Sequence, residues 1–483
     1  MKFKTAFIFC ALSTFQSIAV TYYVSTLGDN SNNGVTQATA FLTLQYASDQ
    51  VAAGDSVIAL QGTYAGFTVT TSGTAIDRII FSALPGVLIN SPNATNDGIN
   101  LEGANYITVE GFSVFGVPRA GLRAVLNTDV IFRNNSADSC GKWGILTGFS
   151  ENILIEGNEC SRSVVEHGIY FSNSADNPVI RNNHCWGNNA NGIHMNGDVS
   201  LQPGDGIISN ALVENNIIHD NGNAGGSGIN CDGVQQSVIR NNLLYDNHAS
   251  GISLYRIDGG GGSMNNLVVN NTILQPTVTR WALNISDGST GNTVFNNIFY
   301  SDHSFRGSIS IDALSLQGFT SDFNILTERM SNDGGSNNMT LAQWQIATTQ
   351  DLHSLIATPA QLFVNVGNHD YHLTPGSPAG NSGTNSQNAL QAPSVDIEGS
   401  IRPQGNQFDI GCYEFPEVNS ISEIGSTTWT EIPANAKINA YEISGQLIFT
   451  CLRKDISEKL KGLNGIYILN CFQYGSYSFG ICK

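Results

Sequence analysis

Along the middle of the chain, short apolar strands alternate with polar corners at a nearly constant spacing. One ladder closes an apolar pair with Asn: IFRNN (131–135), LIEGN (154–158), VIRNN (179–183), LVENN (212–216), VIRNN (238–242), LVVNN (267–271), TVFNN (293–297) and SDFN (321–324). A second ladder is a short alternating strand: GINL (98–101), GLRA (121–124), GILT (144–147), GIYF (168–171), GIHM (192–195), GINC (228–231), GISL (251–254), ALNI (282–285) and SISI (308–311). Such strands cannot bury a face alone, and the segments between them are too short and aperiodic for packing helices. Stacking one coil on the next gives every strand a partner on both sides and merges the inward residues into one core. The recurrent Asn suits the corners, because it tolerates a left-handed backbone and its amide can bond along the stack. These Asn residues are expected to be scaffold.

Composition narrows the partners. The chain has 483 residues, a formal charge of −18 and 12% charged residues. That charge share is about half of the usual one, with Asn, Ser and Thr keeping the surface polar. No basic stripe exists to meet phosphates, so nucleic acid is excluded as a partner. Between Lys4 and Lys437 the one lysine is Lys142, so an anionic ligand needs local arginines or bound cations. The start, MKFKTAFIFCALSTFQSIAV, reads as a signal peptide over 1–20, with Lys2 and Lys4 before an apolar stretch from Phe7 to Leu12. No later segment is apolar for long enough to suggest a transmembrane helix. A secreted or cell-surface bacterial monomer is expected. Cys160 and Cys185 fall at the same repeat position, which admits either a disulfide between coils or a small apolar ladder.

The two ladders resemble the pectate-lyase-like, right-handed β-helix superfamily over residues 22–325. The fold class expected is therefore all-β, a single-stranded right-handed parallel β-helix (a solenoid) over 21–325. The opening YYVSTLGDNSNNG (22–34), AFLTLQYA (40–47) and GDSVIALQGTY (54–64) resembles the first coils of that superfamily, which implies a capping helix within Phe41 to Ala52. DYHLTPGSPAGNSGTN (370–385) and DIEGSIRPQGNQFDIGCYEF (396–415) resemble a closing segment found after many bacterial β-helices, here 326–416. A Ser/Thr/Pro-rich linker over 417–435 follows. AYEISGQLIF (440–449) and LNGIYILNC (463–471) are similar to the type IX secretion sorting domain, which implies a small β-sandwich-like unit over 436–483.

Counting outward from the strand phase gives two neighbouring columns on successive coils: Tyr170, His194, Asn230, Ser253 and Asn284, then Ser172, Asn196, Asp232, Tyr255 and Ser286. Loops above the same coils add Asp198, Asp205, Arg256, Asp258, Arg280, Trp281 and Asp287. Aromatic rings with amide, carboxylate and guanidinium groups suit a carbohydrate groove. The candidate catalytic set is His194, Asp232, Tyr255 and Arg256, with His167 and Lys142 in reserve. Tyr170, Asn196, Asn230, Arg280, Trp281 and Asn284 are candidate substrate-binding residues. A polysaccharide is the expected ligand. One reading is β-elimination or epimerisation on a uronate, with Tyr255 or His194 moving the proton and Arg256 neutralising the carboxylate. A second is hydrolysis by a carboxylate pair among Asp198, Asp205, Asp232 and Asp258; the third is a binding protein or adhesin. The cofactor is open; the resemblance implies calcium as one option, because β-helix lyases often use it together with Lys or Arg.

Overall fold

The computed structural model describes residues 19–416 and, beyond them, 437–442, 447–455, 459, 466–471 and 477–482. Most of the expected signal peptide and the expected linker at 417–435 lie outside the described residues. The chain divides into two units, Met1–Phe415 and Pro416–Lys483.

The first unit is a parallel β-solenoid of about twelve turns, its coils stacked into three long sheets of 12, 11 and 12 strands. One coil shows the plan: Ile131–Arg133 lies in the first sheet, Ser136–Asp138 in the third and Trp143–Gly148 in the second. Leu154–Glu156 then starts the next coil, parallel to Ile131–Arg133 and in register with it. Inward side chains such as Phe81, Phe132, Ile180, Ile229 and Ile252 are fully buried in one continuous core. The stacking runs past residue 325, to Met330–Ser331 in the second sheet and Leu355–Ile356 in the third.

At the Asn corners two jobs fall to two residues. The first Asn of each NN pair takes the left-handed backbone, with φ between 53° and 56° at Asn134, Asn182, Asn215, Asn241, Asn270 and Asn296. The closing Asn is buried, and its amide donates to the closing Asn one coil on. These bonds run 135→158→183→216→242→271→297→324 at 2.9–3.1 Å. Asn324 then donates at 3.0 Å to the buried carboxylate of Asp351, which ends the row. Cys160 and Cys185 are register partners with buried free thiols, so the ladder reading holds for them.

The N-terminal end is capped by the helix Leu44–Gln50, within the expected stretch, with Thr43 accepting from the Tyr46 amide and Leu44 and Ala47 buried. At the other end Trp344, on the helix Leu341–Thr348, is buried and donates to Asp351 at 2.9 Å.

The three outward faces differ. Along the first sheet, Glu110, Arg133, Glu156, Arg181, Glu214 and Arg240 are successive register partners, so opposite charges alternate coil by coil. Ion pairs of 2.6–2.7 Å join Arg133 to Glu110, Arg181 to Glu156 and Arg240 to Glu214. The third sheet turns Leu243, Leu274, Ile298 and Ile325 outward, and Leu362, Phe363, Tyr371, Leu373, Ile410 and Cys412 cover them. A fully buried ion pair, Arg402 to Glu414 at 2.7 Å, locks that cover. The second sheet keeps a polar outward face.

The second unit contains one four-stranded antiparallel sheet, ordered Leu447–Leu452, Lys437–Glu442, Ile466–Cys471, Tyr477–Cys482.

Candidate functional site

The strand phase read from the sequence is the phase of the second sheet. Tyr170, His194, Asn230, Ser253 and Asn284 are register partners in one column, and Ser172, Asn196, Asp232 and Tyr255 in the next. The side chains then sort themselves into a buried cluster, a loop anchor and an open cleft.

The buried cluster comes first along the coils. His194 Nδ1 lies 3.1 Å from His167 Nε2, and His167 Nδ1 accepts from the Asn191 backbone N–H at 3.2 Å. That bond makes His167 Nδ1 the acceptor, so Nε2 carries its proton and donates to His194 Nδ1. His194 therefore keeps its own proton on Nε2, a buried atom without a hydrogen-bond partner. Burial holds His167 down to about 4. Burial, then the neighbouring His167, hold His194 well below the ordinary histidine value. Tyr170 stacks on His194 at 5.1 Å and on Trp143 at 5.9 Å. Its hydroxyl accepts from Asn196 at 3.2 Å, and burial pushes it up to about 12. Lys142 stands over Trp143 at 5.1 Å and 3.7 Å from Glu166. His194 faces outward by phase, as expected, and its free N–H is covered. His167, held in reserve from the sequence, is its hydrogen-bond partner.

The loop anchor comes next, and Asp232 and Arg256 belong to it. Asp232 is 1% exposed, and its carboxylate accepts from the amides of Ile257, Asp258 and Gly259 at 2.8–3.0 Å. Burial raises its pKa above the usual carboxylate value, and those amides oppose the rise. It anchors the loop that follows Tyr255. Arg256 turns back within that loop, its Nε donating to the Gly259 carbonyl at 3.2 Å. The insertion at 197–206 lies against the same loop, with Val199 N bonded to Asp258 O at 3.0 Å and Gly260 N to Gly206 O at 2.9 Å. Asp198 accepts from the Ser200 amide within the insertion and Asp205 from the Ile207 amide just after it.

The open cleft, of about 450 Å³, lies beyond. Tyr255, Ile257, Ser286 and Asp287 line one wall, Arg280, Trp281 and Arg306 the other, and Asn230, Ser253 and Asn284 the floor. The Tyr255 hydroxyl accepts from Asn230 at 2.8 Å, so its own proton is free to point elsewhere. Burial, then the charge of Asp232, raise Tyr255 above the ordinary phenol value, so it stays protonated. Arg306 donates to the Thr279 carbonyl at 2.9 Å. Among the described residues neither Arg280 nor Arg306 makes an ion pair. Arg119, Arg123, Arg133, Arg181, Arg240 and Arg402, by contrast, are each held by a carboxylate at 2.7 Å or less. Of the four carboxylates considered for hydrolysis, Asp198, Asp205, Asp232 and Asp258, none lines the cleft; Asp287, named with the loops, does. Arg306 was missed, although it stands three residues before the inward Ile309 as Arg280 stands three before Leu283. Among the described residues no group of three or more His, Cys, Asp or Glu side chains is placed to hold a metal ion.

Comparison with known proteins agrees with the fold. A family model described as "Right handed beta helix region" matches residues 162–313, and one described as "Periplasmic copper-binding protein (NosD)" matches 30–202. Neither spans half of the chain. No curated protein matches it. Among solved structures, pectate lyase Pel9A is 16% identical with a TM-score of 0.58, over 82% of this chain and 97% of that one. XylC in complex with xylose is 10% identical with a TM-score of 0.50, over 81% of this chain and 98% of that one. At these identities the likeness is one of fold.

Proposed function

We propose that the cleft binds an acidic, uronate-containing polysaccharide and cleaves it by β-elimination. The observation that carries this is the pair Arg280 and Arg306, at equivalent positions on consecutive coils without a carboxylate partner, in a chain of net charge −18. Two adjacent uncompensated cations suit a ligand that brings the negative charge, and a planar guanidinium meets a carboxylate through two parallel bonds. They take the neutralising role first given to Arg256. With the uronate carboxylate neutralised, the proton on the carbon beside it can pass to a base. A double bond then forms between C4 and C5, the C4–oxygen bond breaks, and the leaving oxygen takes a proton. Tyr255, protonated and with its hydrogen free, supplies that proton; Asp287, one coil on, is the base.

Hydrolysis requires two carboxylates about the scissile bond, and the cleft is lined by one, Asp287. Pectate lyase Pel9A shares the fold, which agrees with elimination without carrying it. The export reading of the chain ends stands as a proposal too, tested by asking whether a chain ending at residue 416 still leaves a host with type IX secretion.

The test is to incubate the purified chain with polygalacturonate, alginate and a neutral glucan and follow the ultraviolet absorbance of unsaturated products. Absorbance should rise on an acidic glycan alone, and Arg306→Ala should weaken binding by about tenfold or more, the worth of a charge-assisted hydrogen bond. New reducing ends without absorbance would replace elimination by hydrolysis.

A further inference from the structure

The outward column of the second sheet does not stay open to its end. Asn284, Ser310 and Ser331 are successive register partners, so all three side chains point out of the solenoid. Asn284 is part-exposed, yet Ser310 and Ser331 are 0% exposed. What covers them is the loop 332–338, which leaves the last strand of the sheet and folds back over it. A side chain added at Gly335 would stand 2.9 Å from Trp281 Nε1 and 3.5 Å from Ser310 Oγ, so the backbone there lies on Ser310 and reaches Trp281, two coils before Ser331. Gly334 and Gly335 have φ of 71° and 86°, the left-handed region that glycine enters freely.

The loop is tied down. The carboxylate of Asp333 accepts from Ser331 Oγ at 2.6 Å, from the amides of Ser336 and Asn337, and from Asn337 Nδ2 at 2.7 Å. Asn338 Nδ2 donates to the Phe305 carbonyl at 2.6 Å, and Met330 and Met339 form an antiparallel bridge. Gly334 and Gly335 line the cleft beside Trp281 and Arg306, so the loop is its end wall. In the other direction the column runs through Ser253 and Asn230, 6% and 7% exposed, to the part-exposed His194 and Tyr170.

We propose that this wall makes the cleft a blind groove that receives the end of an acidic polysaccharide, so that the protein acts from a chain terminus and not within the chain. The inference rests on the acidic-glycan reading above. Tyr255 shares its coil with Ser253, and one open coil, that of Asn284, separates it from the covered coil of Ser310, a step of two coils or roughly 10 Å at about 4.8 Å per coil. A pyranose unit is about as long as a coil is thick, so one or two units fit between the wall and Tyr255, and products of that size leave from the first turnovers.

Two measurements on the full chain test this. Short and long polygalacturonate preparations are titrated at equal mass, and binding should scale with the number of chain ends. Equal binding per mass overturns the blind groove while leaving the acidic-glycan reading intact; no binding to polygalacturonate or alginate removes that reading and this inference with it. Products from the long preparation should be mono- and disaccharides with little early loss of viscosity, whereas long oligomers with an early collapse of viscosity also overturn it. Replacing 333–337 by a short turn should lengthen the products. If that variant does not fold, the double variant Asp333→Ala, Asn338→Ala loosens the wall through side chains that stand outside the core, and it should shift products in the same direction.

Discussion

The second and third sheets wind through the same coils, with the same inward Ile and Leu, and differ in what they turn outward. Between residues 243 and 325 the third sheet presents Leu243, Leu274, Ile298 and Ile325, and the chain returns at 357–415 to bury them. Over the same coils the second sheet presents Asn230, Ser253, Tyr255 and Asn284, and the chain leaves them beside a cleft. The first sheet is a third solution, neutralised in place by alternating Glu and Arg. A solenoid's core therefore says little about its site. The outward column decides: buried under a returning segment on the third sheet, paired in place on the first, left beside a cleft on the second.

The contrast can be broken most forcefully on the covered face. Removing Glu414 leaves Arg402 charged and buried, so Glu414→Ala should cost about 3–5 kcal/mol in urea unfolding. The open cleft should still bind glycan wherever the chain remains folded. On the working face the reverse is expected. Tyr255→Phe should lower turnover by about a hundredfold, roughly 2.7 kcal/mol, while stability falls by about 1 kcal/mol from the bond to Asn230. Similar losses of stability and no loss of turnover would make Tyr255 a structural residue.

The buried histidines sharpen the boundary between these roles. His167 takes up a proton near 6.5 when unfolded but at about 4 when folded. Above pH 6.5 it leaves stability unchanged. As pH falls from there toward 4, the unfolded chain binds the proton first and stability drops by about 1.4 kcal/mol per pH unit, with His194 acting in the same direction. His167→Gln should flatten that slope in denaturation midpoints measured across the window. A turnover that instead follows the titration of His194 would return it to the chemistry. The smallest effect belongs to the first sheet: Arg181→Ala, on a part-exposed ion pair, should change stability by about 1 kcal/mol or less and leave glycan binding untouched.

The parallel stack, the inward and outward phase and the Asn corners were legible in the sequence because each rests on a fixed period. So were the positions of Tyr255, Asn230 and Asn284, which follow from that phase, and of Arg280 and Trp281, which stand just before the strand Leu283–Ile285. Asp232 and His194 fall on the expected coils, but their hydrogen-bond partners, the 257–259 amides and His167, lie on neighbouring coils, and Arg256 turns to the Gly259 carbonyl of its own loop; the repeat period specifies none of these. Periodicity sets where a side chain starts and not what folds over it. The wall at 332–338 was invisible for the same reason, since its meaning lies in the backward turn of the chain. Arg306 was within reach, as the equivalent of Arg280 one coil on.

The row of closing asparagines has a direction. Each amide donates back to a backbone carbonyl of the coil before, but within the side-chain row it donates to the closing Asn of the coil after, and the last donates to Asp351, a carboxylate that is itself held by Ser321, Ser354 and Trp344. A row built this way can lengthen by duplicating a coil anywhere inside it, because each new Asn accepts from the coil before and donates to the coil after. It cannot lengthen by adding a coil beyond Asp351, where no amide is left to hand on. Growth of such a gene by internal copying would leave the two ends old and the middle young, and the cleft lies in the part free to multiply.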